Sequence, residues 1–473
     1  LGNNKLIKIS KGSFVKMSIR SLSLKSQNIK SIDAGAISGC NQLRQIDLSF
    51  NHLERITSGF IKDLPALNYL FLQNNFVNDL EYDTFGRLDA IKEIYLKNNV
   101  ISTIKAGAFL QLKNLRTLHL LENLLYELNP EMFIGLDNLD TLRIDHNKLS
   151  IIHANTFIHV PKLIQLYLTG NYIRTIEPNA FTQLGNLMFL LLNENQISKI
   201  NSMMFEDLKN LKELILNYNK ISSISDNTFI ELNFLNELHL NGNLLTSLTS
   251  DVFNGLILKN QASSVIALNL ENNNFENITG MFDNFTRLGE IFLASNQIRR
   301  IDNLTFKDVK KLTKLSLSFN PLEYVENNVF DRFGSTLNEL YLRGIQANPS
   351  EFLNFSVFTE LTILDVSQTR FFITEDTFKS FSSSLKKVYL RQIGLRGLHY
   401  LYIDQMTNLD TIDLSDNPID WSNICDSNVS SHFFDSNKLL QSLFLSNTSL
   451  KNLACLGLNE LTAFREMDLS NNL

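Results

Sequence analysis

The sequence predicts an α/β-type repeat solenoid, in which a parallel β-sheet forms one face and irregular or short helical segments form the other. Three observations predict it: a strand-like L-x-L segment recurs along the chain, an Asn follows it at steps of 24 residues, and a Phe follows the Asn by ten residues. A chain of 473 residues normally divides into several globular domains, but stacked repeats share one extended core.

The recurring Asn position, which we call the ladder position, runs through the whole sequence. Its regular members are Asn51, Asn75, Asn99, Asn123, Asn147, Asn171, Asn195, Asn219 and Asn243, with Gln27 one step earlier. It continues at Asn273, Asn296, Asn320, Ile345, Thr369, Ile393, Asn417, Thr448 and Asn472, with steps of 30 and 31 residues before Asn273 and Thr448. Because a buried amide must be hydrogen-bonded, these residues predict a ladder of bonds between successive coils.

The L-x-L segment alternates, so its Leu side chains face the interior and the x residues face outward. The recurring Phe residues predict a stacked aromatic spine under the opposite wall. They are Phe85, Phe109, Phe133, Phe157, Phe181, Phe205, Phe229, Phe253, Phe306 and Phe330. Since the strand wall is narrower per repeat than the opposite wall, we expect a curved stack with the strands on its concave side.

The full unit, L-x-x-L-x-L-x-x-N-x-I-x-x-I-x-x-x-x-F-x-x-L, resembles the 24-residue leucine-rich repeat of extracellular animal proteins. The segments IKEIYLKNNVISTIKAGAF (91–109) and LIQLYLTGNYIRTIEPNAF (163–181) look like repeats of Toll-like receptor ectodomains, and are similar to those of long adhesion proteins of the chaoptin kind. The resemblance covers all 473 residues and implies a leucine-rich repeat horseshoe. We interpret residues 1–473 as a single solenoid of about 19 repeats, regular over 22–260 and irregular over 261–473, and as a piece of a longer chain.

Composition and motifs argue against several functional classes. The net charge of −6 gives no broad attraction to nucleic acid, so we expect no nucleic-acid partner. The sequence has no Gly-rich phosphate loop, no H-E-x-x-H, no C-x-x-C and no G-x-S-x-G, and it lacks acidic runs suited to calcium. We therefore expect a binding module without enzymatic activity, cofactor or metal. No apolar run has the length of a membrane span, so membrane attachment would require segments outside this sequence.

Sequons for N-glycosylation indicate an extracellular location, secreted or on a cell surface. They lie at Asn277, Asn284, Asn303, Asn354, Asn428 and Asn447, whereas Pro349 disqualifies the triplet at Asn348. All six follow residue 276. Either the regular half keeps its surface free of glycan for a partner, or the distribution is chance.

Two of the three Cys residues occupy nearly equivalent places in successive coils. Cys425 lies eight residues after Asn417, and Cys455 lies seven after Thr448. This spacing predicts a disulfide between them, with two buried free thiols as the alternative. Cys40 is left without a partner. The Cys-rich caps usual in the family are not visible, which means either trimmed ends or a weaker resemblance.

The x residue between the two strand Leu positions forms a column suited to binding, because it can vary without harm to the core. In the regular half the column reads Phe71, Tyr95, His119, Arg143, Tyr167, Leu191, Ile215 and His239, with Leu121 and Asp145 beside it. The later half offers Tyr341, Arg343, Tyr389 and Arg391. Aromatic residues and Arg are favoured at interfaces, although strand propensity alone also favours Tyr and Phe.

Two functions fit these features. The first is an extracellular recognition module, similar to a Toll-like receptor ectodomain, that binds a protein or microbial ligand through its concave face. Its partner would be a protein ligand or co-receptor, with homodimerisation or lateral self-association as a further mode. The alternative is a cell-adhesion or extracellular-matrix protein with homophilic association.

The ladder is interrupted at three consecutive positions, Ile345, Thr369 and Ile393. Ile offers no hydrogen-bonding group, and Thr has a shorter reach than Asn. We expect both Ile side chains to pack inward. We interpret residues 340–395 as an irregular segment within one solenoid, where curvature and twist are less constrained.

Overall fold

The computed structural model describes residues 6–258, 266–422, 432–458 and 461–472. The chain forms two compact units, Leu1–His239 with Asp251–Ala262, and Leu240–Ser250 with Ser263–Leu473. Each unit is built on short parallel strands that recur once per repeat, which confirms the predicted parallel-strand repeat solenoid. Whether residues 1–473 act as a single domain stays a prediction.

The main sheet of the first unit has ten parallel strands in sequential order. They are β1 (Ser21–Ser23), β2 (Gln45–Asp47), β3 (Tyr69–Phe71), β4 (Glu93–Tyr95), β5 (Thr117–His119), β6 (Thr141–Arg143), β7 (Gln165–Tyr167), β8 (Phe189–Leu191), β9 (Glu213–Ile215) and β10 (Glu237–His239). Neighbouring strands pair without slippage, so residues 24 apart lie side by side.

The main sheet of the second unit has nine parallel strands in sequential order. They are β11 (Ile266–Asn269), β12 (Leu288–Phe292), β13 (Lys314–Ser316), β14 (Glu339–Tyr341), β15 (Ile363–Asp365), β16 (Lys387–Tyr389), β17 (Thr411–Asp413), β18 (Ser442–Phe444) and β19 (Glu466–Asp468). One register shift occurs, between Ile266 and Ala267 of β11.

The opposite wall consists of turns, two-residue strands and short helices. The two-residue strands are Lys8–Ile9, Phe14–Val15, Ser31–Ile32, Ile37–Ser38, Ile61–Lys62, Asp79–Leu80, Thr103–Ile104, Ile151–Ile152, Thr175–Ile176, Lys199–Ile200, Ser223–Ile224, Arg300–Ile301 and Tyr324–Val325. The α-helices are Asn254–Leu258 and Pro349–Phe352, and the 3-10 helices are Pro130–Phe133, Ser202–Met204, Ser250–Phe253, Gly334–Thr336, Phe355–Val357, His399–Leu401, Ile403–Gln405 and Ala454–Leu456. Among the described residues, no helix is long and apolar enough to cross a membrane.

The core of each unit follows from the alternation of the strands. In β7, for example, Leu166 is buried while Gln165 and Tyr167 stay half-buried on the other face, which we call the open face of the sheet. Under the opposite wall the predicted Phe spine is present. In the first unit, ring centroids are 5.8 Å apart for Phe85 and Phe109 and 5.9–6.4 Å apart for four further neighbouring pairs. In the second unit, Phe306 stacks on Phe282, which was not a predicted member, and the predicted Phe330 meets Phe333 edge-on. The spine and the strand Leu residues together enclose the hydrophobic core.

The Asn ladder forms as predicted. The Asn171 amide nitrogen donates to the carbonyls of Ile144 (3.0 Å), Leu168 (3.0 Å) and Thr169 (3.4 Å), and its Oδ1 accepts from the Leu149 amide at 3.2 Å. One side chain therefore satisfies backbone groups of its own coil and of the preceding coil. The same bonding recurs at the other regular ladder positions, with Asn75 and Asn123 as examples.

A left-handed residue precedes each of the 19 ladder positions, from Ser26 (φ 56°) to Asn471 (φ 58°). It turns the chain out of the strand and brings the ladder side chain inside. Most of these residues are not Gly, and Gly344 occupies the place where the ladder is first interrupted. The turn therefore does not depend on an Asn at the next position.

The interruption leaves the sheet intact. Strands β14, β15 and β16 pair in regular register, so the predicted irregularity does not extend to the strands. Ile345 and Ile393 are buried, as expected, and the Thr369 hydroxyl donates to the Val366 carbonyl at 2.6 Å. An open surface pocket of about 660 Å³ lies at this place, lined in part by Ile345 and Thr369.

Asn171→Ala is expected to lower the free energy of unfolding by roughly 1–3 kcal/mol, because it leaves buried backbone groups without partners. Urea denaturation followed by far-UV circular dichroism measures the change. The exposed Asn186 donates one bond to the Pro161 carbonyl and serves as the control. If Asn186→Ala costs as much as Asn171→Ala, the ladder has no special contribution to stability.

Candidate functional site

Side chains at one strand position on the open face of the first unit form a row, which we call the aromatic stripe: Phe71, Tyr95, His119, Arg143 and Tyr167. Parallel pairing places each side chain beside the next. Ring centroids of Phe71 and Tyr95 are 4.7 Å apart, and those of Tyr95 and His119 are 4.3 Å apart. The Arg143 guanidinium carbon lies 4.7 Å from the centroid of the Tyr167 ring.

Polar neighbours fix the phenol groups of the stripe. The Tyr95 hydroxyl donates to the Glu93 carboxylate, and the Tyr167 hydroxyl donates to Gln165 Oε1 at 2.9 Å. Partial burial raises the pKa of Tyr95, and Glu93 raises it further, so this phenol stays protonated. In both cases the partner lies two residues earlier on the same strand, and therefore on the same face.

The middle of the stripe carries one neutral ring and one cation. Burial lowers the pKa of His119 to about 4, and the Arg143 charge contributes, so the imidazole is uncharged at neutral pH. Arg143 also donates from Nε to Asp145 Oδ2 at 3.1 Å. Burial raises the pKa of Asp145, although Arg143 opposes that effect. The stripe thus combines flat apolar rings with one guanidinium held between a ring and a carboxylate.

The remaining residues of the predicted surface have different environments. Leu191 and Ile215 continue the column in register with Tyr167, and both are half-buried. Leu121 and Asp145 are buried, with 8% and 3% exposure. They therefore offer little area to a partner. His239 ends the column in register with Ile215.

The open face of the second unit has a different character. Parallel pairing places Asp365 between Tyr341 and Tyr389, so the two Tyr rings do not stack on each other. Burial raises the pKa of Tyr389, and Asp365 raises it further. Tyr341 donates to Glu339 at 2.9 Å.

The two Arg side chains of this face are also engaged. The Arg343 guanidinium carbon lies 5.4 Å from the Phe319 ring centroid, and its Nε donates to Gln368 Oε1 at 3.1 Å. Arg391 forms an ion pair with Asp416 at 2.7 Å. The repeated Tyr and Arg residues therefore occupy separate local networks and do not form one stripe.

A family model described as Leucine rich repeat matches this sequence in overlapping segments. The matched segments are 1–53, 18–77, 43–101, 65–125, 90–149, 113–173, 137–197, 185–245 and 286–344, which is more than half of the chain. The chain belongs to the leucine-rich repeat family. Proteins built on this repeat are typically protein–protein interaction modules and are typically not enzymes.

Solved structures of bacterial leucine-rich repeat proteins share the fold. A leucine-rich repeat protein of Leptospira interrogans is 23% identical with a TM-score of 0.64, and the alignment covers 90% of this chain and 95% of that chain. An internalin of Listeria monocytogenes is 19% identical with a TM-score of 0.50, covering 85% of this chain and 88% of that chain. No curated protein sequence matches this leucine-rich repeat protein.

The predicted sequons of this leucine-rich repeat protein differ in access to their amide nitrogens. Asn277, Asn284 and Asn447 are exposed, and Asn303 and Asn354 are half-buried. The amide nitrogens of Asn303, Asn354 and Asn447 donate to the carboxylates of Glu326, Asp331 and Asp416, respectively. Asn277 and Asn284 are thus the most accessible for modification. Asn428 lies outside the described residues, and glycosylation at all six positions stays a prediction.

Of the predicted disulfide pair, only Cys455 lies in the described part of this leucine-rich repeat protein. Cys455 is buried, with 8% exposure, in the 3-10 helix Ala454–Leu456. Cys425 lies outside the described residues, so its disulfide with Cys455 stays a prediction. Cys40 is a buried free thiol in the first unit, as the odd count suggested.

One surface feature of the leucine-rich repeat chain escaped the sequence analysis. Large apolar side chains that flank the ladder positions are strongly exposed along the loops that follow the strands. In the first unit they include Phe50 (49%), Phe76 (50%), Leu124 (42%) and Tyr172 (44%). The signal was present in the sequence, because each lies directly before or after a ladder Asn, where a solvent-exposed turn would favour a polar residue.

Proposed function

We propose that this chain is an extracellular protein-recognition module, and specifically a receptor ectodomain that binds a protein or microbial ligand through the open face of its first unit. The single observation that carries the proposal is the aromatic stripe. Phe71, Tyr95 and His119 are stacked at 4.7 Å and 4.3 Å, but they lie on the face of the sheet opposite the core.

The stripe is suited to binding for two physical reasons. Its rings are already immobilised by stacking and by the hydrogen bonds of Tyr95 and Tyr167, so these side chains lose little further conformational entropy when a partner binds. Rigid aromatic groups and Arg also dominate the binding energy of many protein interfaces. Because Leu191 and Ile215 extend the column, an apolar surface continues beyond Tyr167.

The extracellular location rests on other features of the chain. The exposed sequons at Asn277 and Asn284 and the predicted pair of Cys425 and Cys455 both suit an oxidising, glycosylating compartment. All the sequons lie after residue 276, so they leave the stripe free of glycan. This separation supports contact with a partner through the first unit.

The triple variant Tyr95→Ala, Arg143→Ala, Tyr167→Ala is expected to weaken partner binding by more than about 1 kcal/mol, roughly fivefold, because it removes rigid anchors. The secreted chain is screened against arrayed extracellular proteins and bacterial surface proteins, with a second copy of itself included. The affinity of each hit is then measured by surface plasmon resonance for the parent and the variant.

Lys105→Ala is the matched control from the same repeat, because Lys105 is exposed directly after the two-residue strand Thr103–Ile104, whereas Tyr95 lies on β4. It should leave the affinity unchanged. A folded triple variant that binds every partner with the parent's affinity contradicts the proposal. Self-binding that the triple variant retains, with no other partner, would instead favour a homophilic adhesion or matrix protein.

A further inference from the structure

Two carboxylates and an imidazole converge at the end of the open face of the first unit. Glu213 lies on β9, and Glu237 and His239 lie on β10. Parallel pairing places Glu213 directly beside Glu237. One ligand atom from each of the three side chains lies within 4.8 Å of the other two. The convergence is fixed by the sheet register, not by a mobile loop.

The charges of the two carboxylates are poorly compensated. In the described part of the chain neither forms an ion pair with a Lys or Arg, and the one ionisable partner is His239, whose Nε2 lies 3.4 Å from Glu237 Oε2. Two like charges directly opposite on paired strands are destabilising.

The second unit shows how the chain compensates such charges elsewhere. Glu290 and Glu339 occupy the same strand position as Glu213 and Glu237, and Lys314 lies between them in register. The Lys314 ammonium approaches the two carboxylates at 3.6 Å and 3.5 Å. Glu213 and Glu237 lie on adjacent strands, so no strand between them supplies a cation. The nitrogen group near them on the same face is the His239 imidazole.

We propose that Glu213, Glu237 and His239 bind a divalent first-row transition-metal ion, with Zn²⁺ as the representative. Imidazole nitrogen with carboxylate oxygen suits this class, whereas Ca²⁺ and Mg²⁺ prefer oxygen ligands alone. Bonds of about 2.0–2.2 Å require ligand atoms roughly 3–4 Å apart, so a small rotation of the exposed Glu237 side chain completes the set.

The site is accessible to an ion from solvent. The side chains of Glu237 and His239 are 53% and 31% exposed. Three protein ligands leave at least one coordination position for water or for a group of a partner. The proposal does not depend on the aromatic stripe, and metal binding is measured in the absence of any protein partner.

Isothermal titration of the untagged, EDTA-treated chain with ZnCl₂ is the first test. We expect one Zn²⁺ per chain, and at least tenfold weaker binding for each of E213Q, E237Q and H239A. Gln keeps the size of Glu, so E213Q and E237Q test the charge even if H239A folds poorly. Titration with CoCl₂ gives a second readout, since visible absorption bands of bound Co²⁺ should be present in the parent and absent in E237Q.

His153 provides the matched control. Its Nδ1 lies 3.2 Å from a single carboxylate, that of the partly exposed Glu177. This pair lacks the second carboxylate that the proposed metal site has. H153A should retain the Zn²⁺ affinity and stoichiometry of the parent. The proposal is overturned if the parent shows no saturable Zn²⁺ binding, if E213Q and E237Q both bind as tightly as the parent, or if H153A weakens binding as much as H239A.

Discussion

Phe157→Ala is expected to lower the free energy of unfolding of the first unit by about 3–5 kcal/mol. The Phe157 ring is fully buried, with both ring neighbours at 5.9 Å, Phe133 and Phe181. Truncation therefore opens a cavity between two neighbouring rings and removes contacts on both sides. The flanking coils are held by ladder bonds at Asn147 and Asn171, so they cannot easily collapse into the space.

Urea denaturation followed by far-UV circular dichroism measures the loss. Phe76→Ala is the control in the same unit, since its ring is 50% exposed and stacks on the His52 ring at 5.6 Å. We expect that change to cost less than about 1 kcal/mol. A loss below about 1 kcal/mol for Phe157→Ala would show that the spine fills space without stabilising the unit.

The sequence was sufficient to predict the repeated parts of this structure. In the regular half, the strand Leu residues, the ladder Asn residues and the spine Phe residues recur every 24 residues, so one local pattern fixes many equivalent environments. The ring stack of Phe71, Tyr95 and His119 follows from the same register, because it needs only strands that pair without slippage.

Other features depend on contacts that no local pattern encodes. Leu121 and Asp145 share a column with the half-buried Gln73 and Lys97, yet both are buried. Arg143, in the adjacent column, donates a hydrogen bond to Asp145. The side-chain conformations that form this bond cannot be predicted from the spacing of residues in the sequence. The separation of Tyr341 and Tyr389 has a simpler cause, since the repeat between them carries Asp365 at the same strand position.

The left-handed residue before each ladder position was also missed, because mostly ordinary side chains occupy it. Phe50, Glu122 and Tyr218 all adopt positive φ there, although such residues seldom do so. The conformation is imposed by the coil. The strand must end, and the next side chain must enter the core, whatever residue stands between them.

The interrupted ladder gives the second large expected effect. Ile393→Ala should cost about 2–5 kcal/mol and Ile393→Val about 0.5–1.5 kcal/mol, as for a buried aliphatic side chain. Ile393 is 7% exposed, and its backbone amide donates to Asn417 Oδ1 at 3.0 Å. This backbone bond survives either substitution, so the measured loss isolates side-chain packing.

Unfolding of the second unit can be followed by fluorescence, because Trp421 is the single Trp and is 6% exposed. Its indole nitrogen donates to the Thr448 carbonyl at 2.9 Å, so its surroundings change when the unit unfolds. Arg396→Ala is the control, because Arg396 is exposed and lies three residues after Ile393. It should change the free energy of unfolding by no more than about 0.5 kcal/mol. If Ile393→Ala also changes the free energy of unfolding by no more than that, packing of the Ile393 side chain does not compensate for the Asn amide that is missing at this ladder position. The left-handed turn and the bonds from Asn417 would then be sufficient to hold the coil, and Ile393 would be tolerated there without stabilising it.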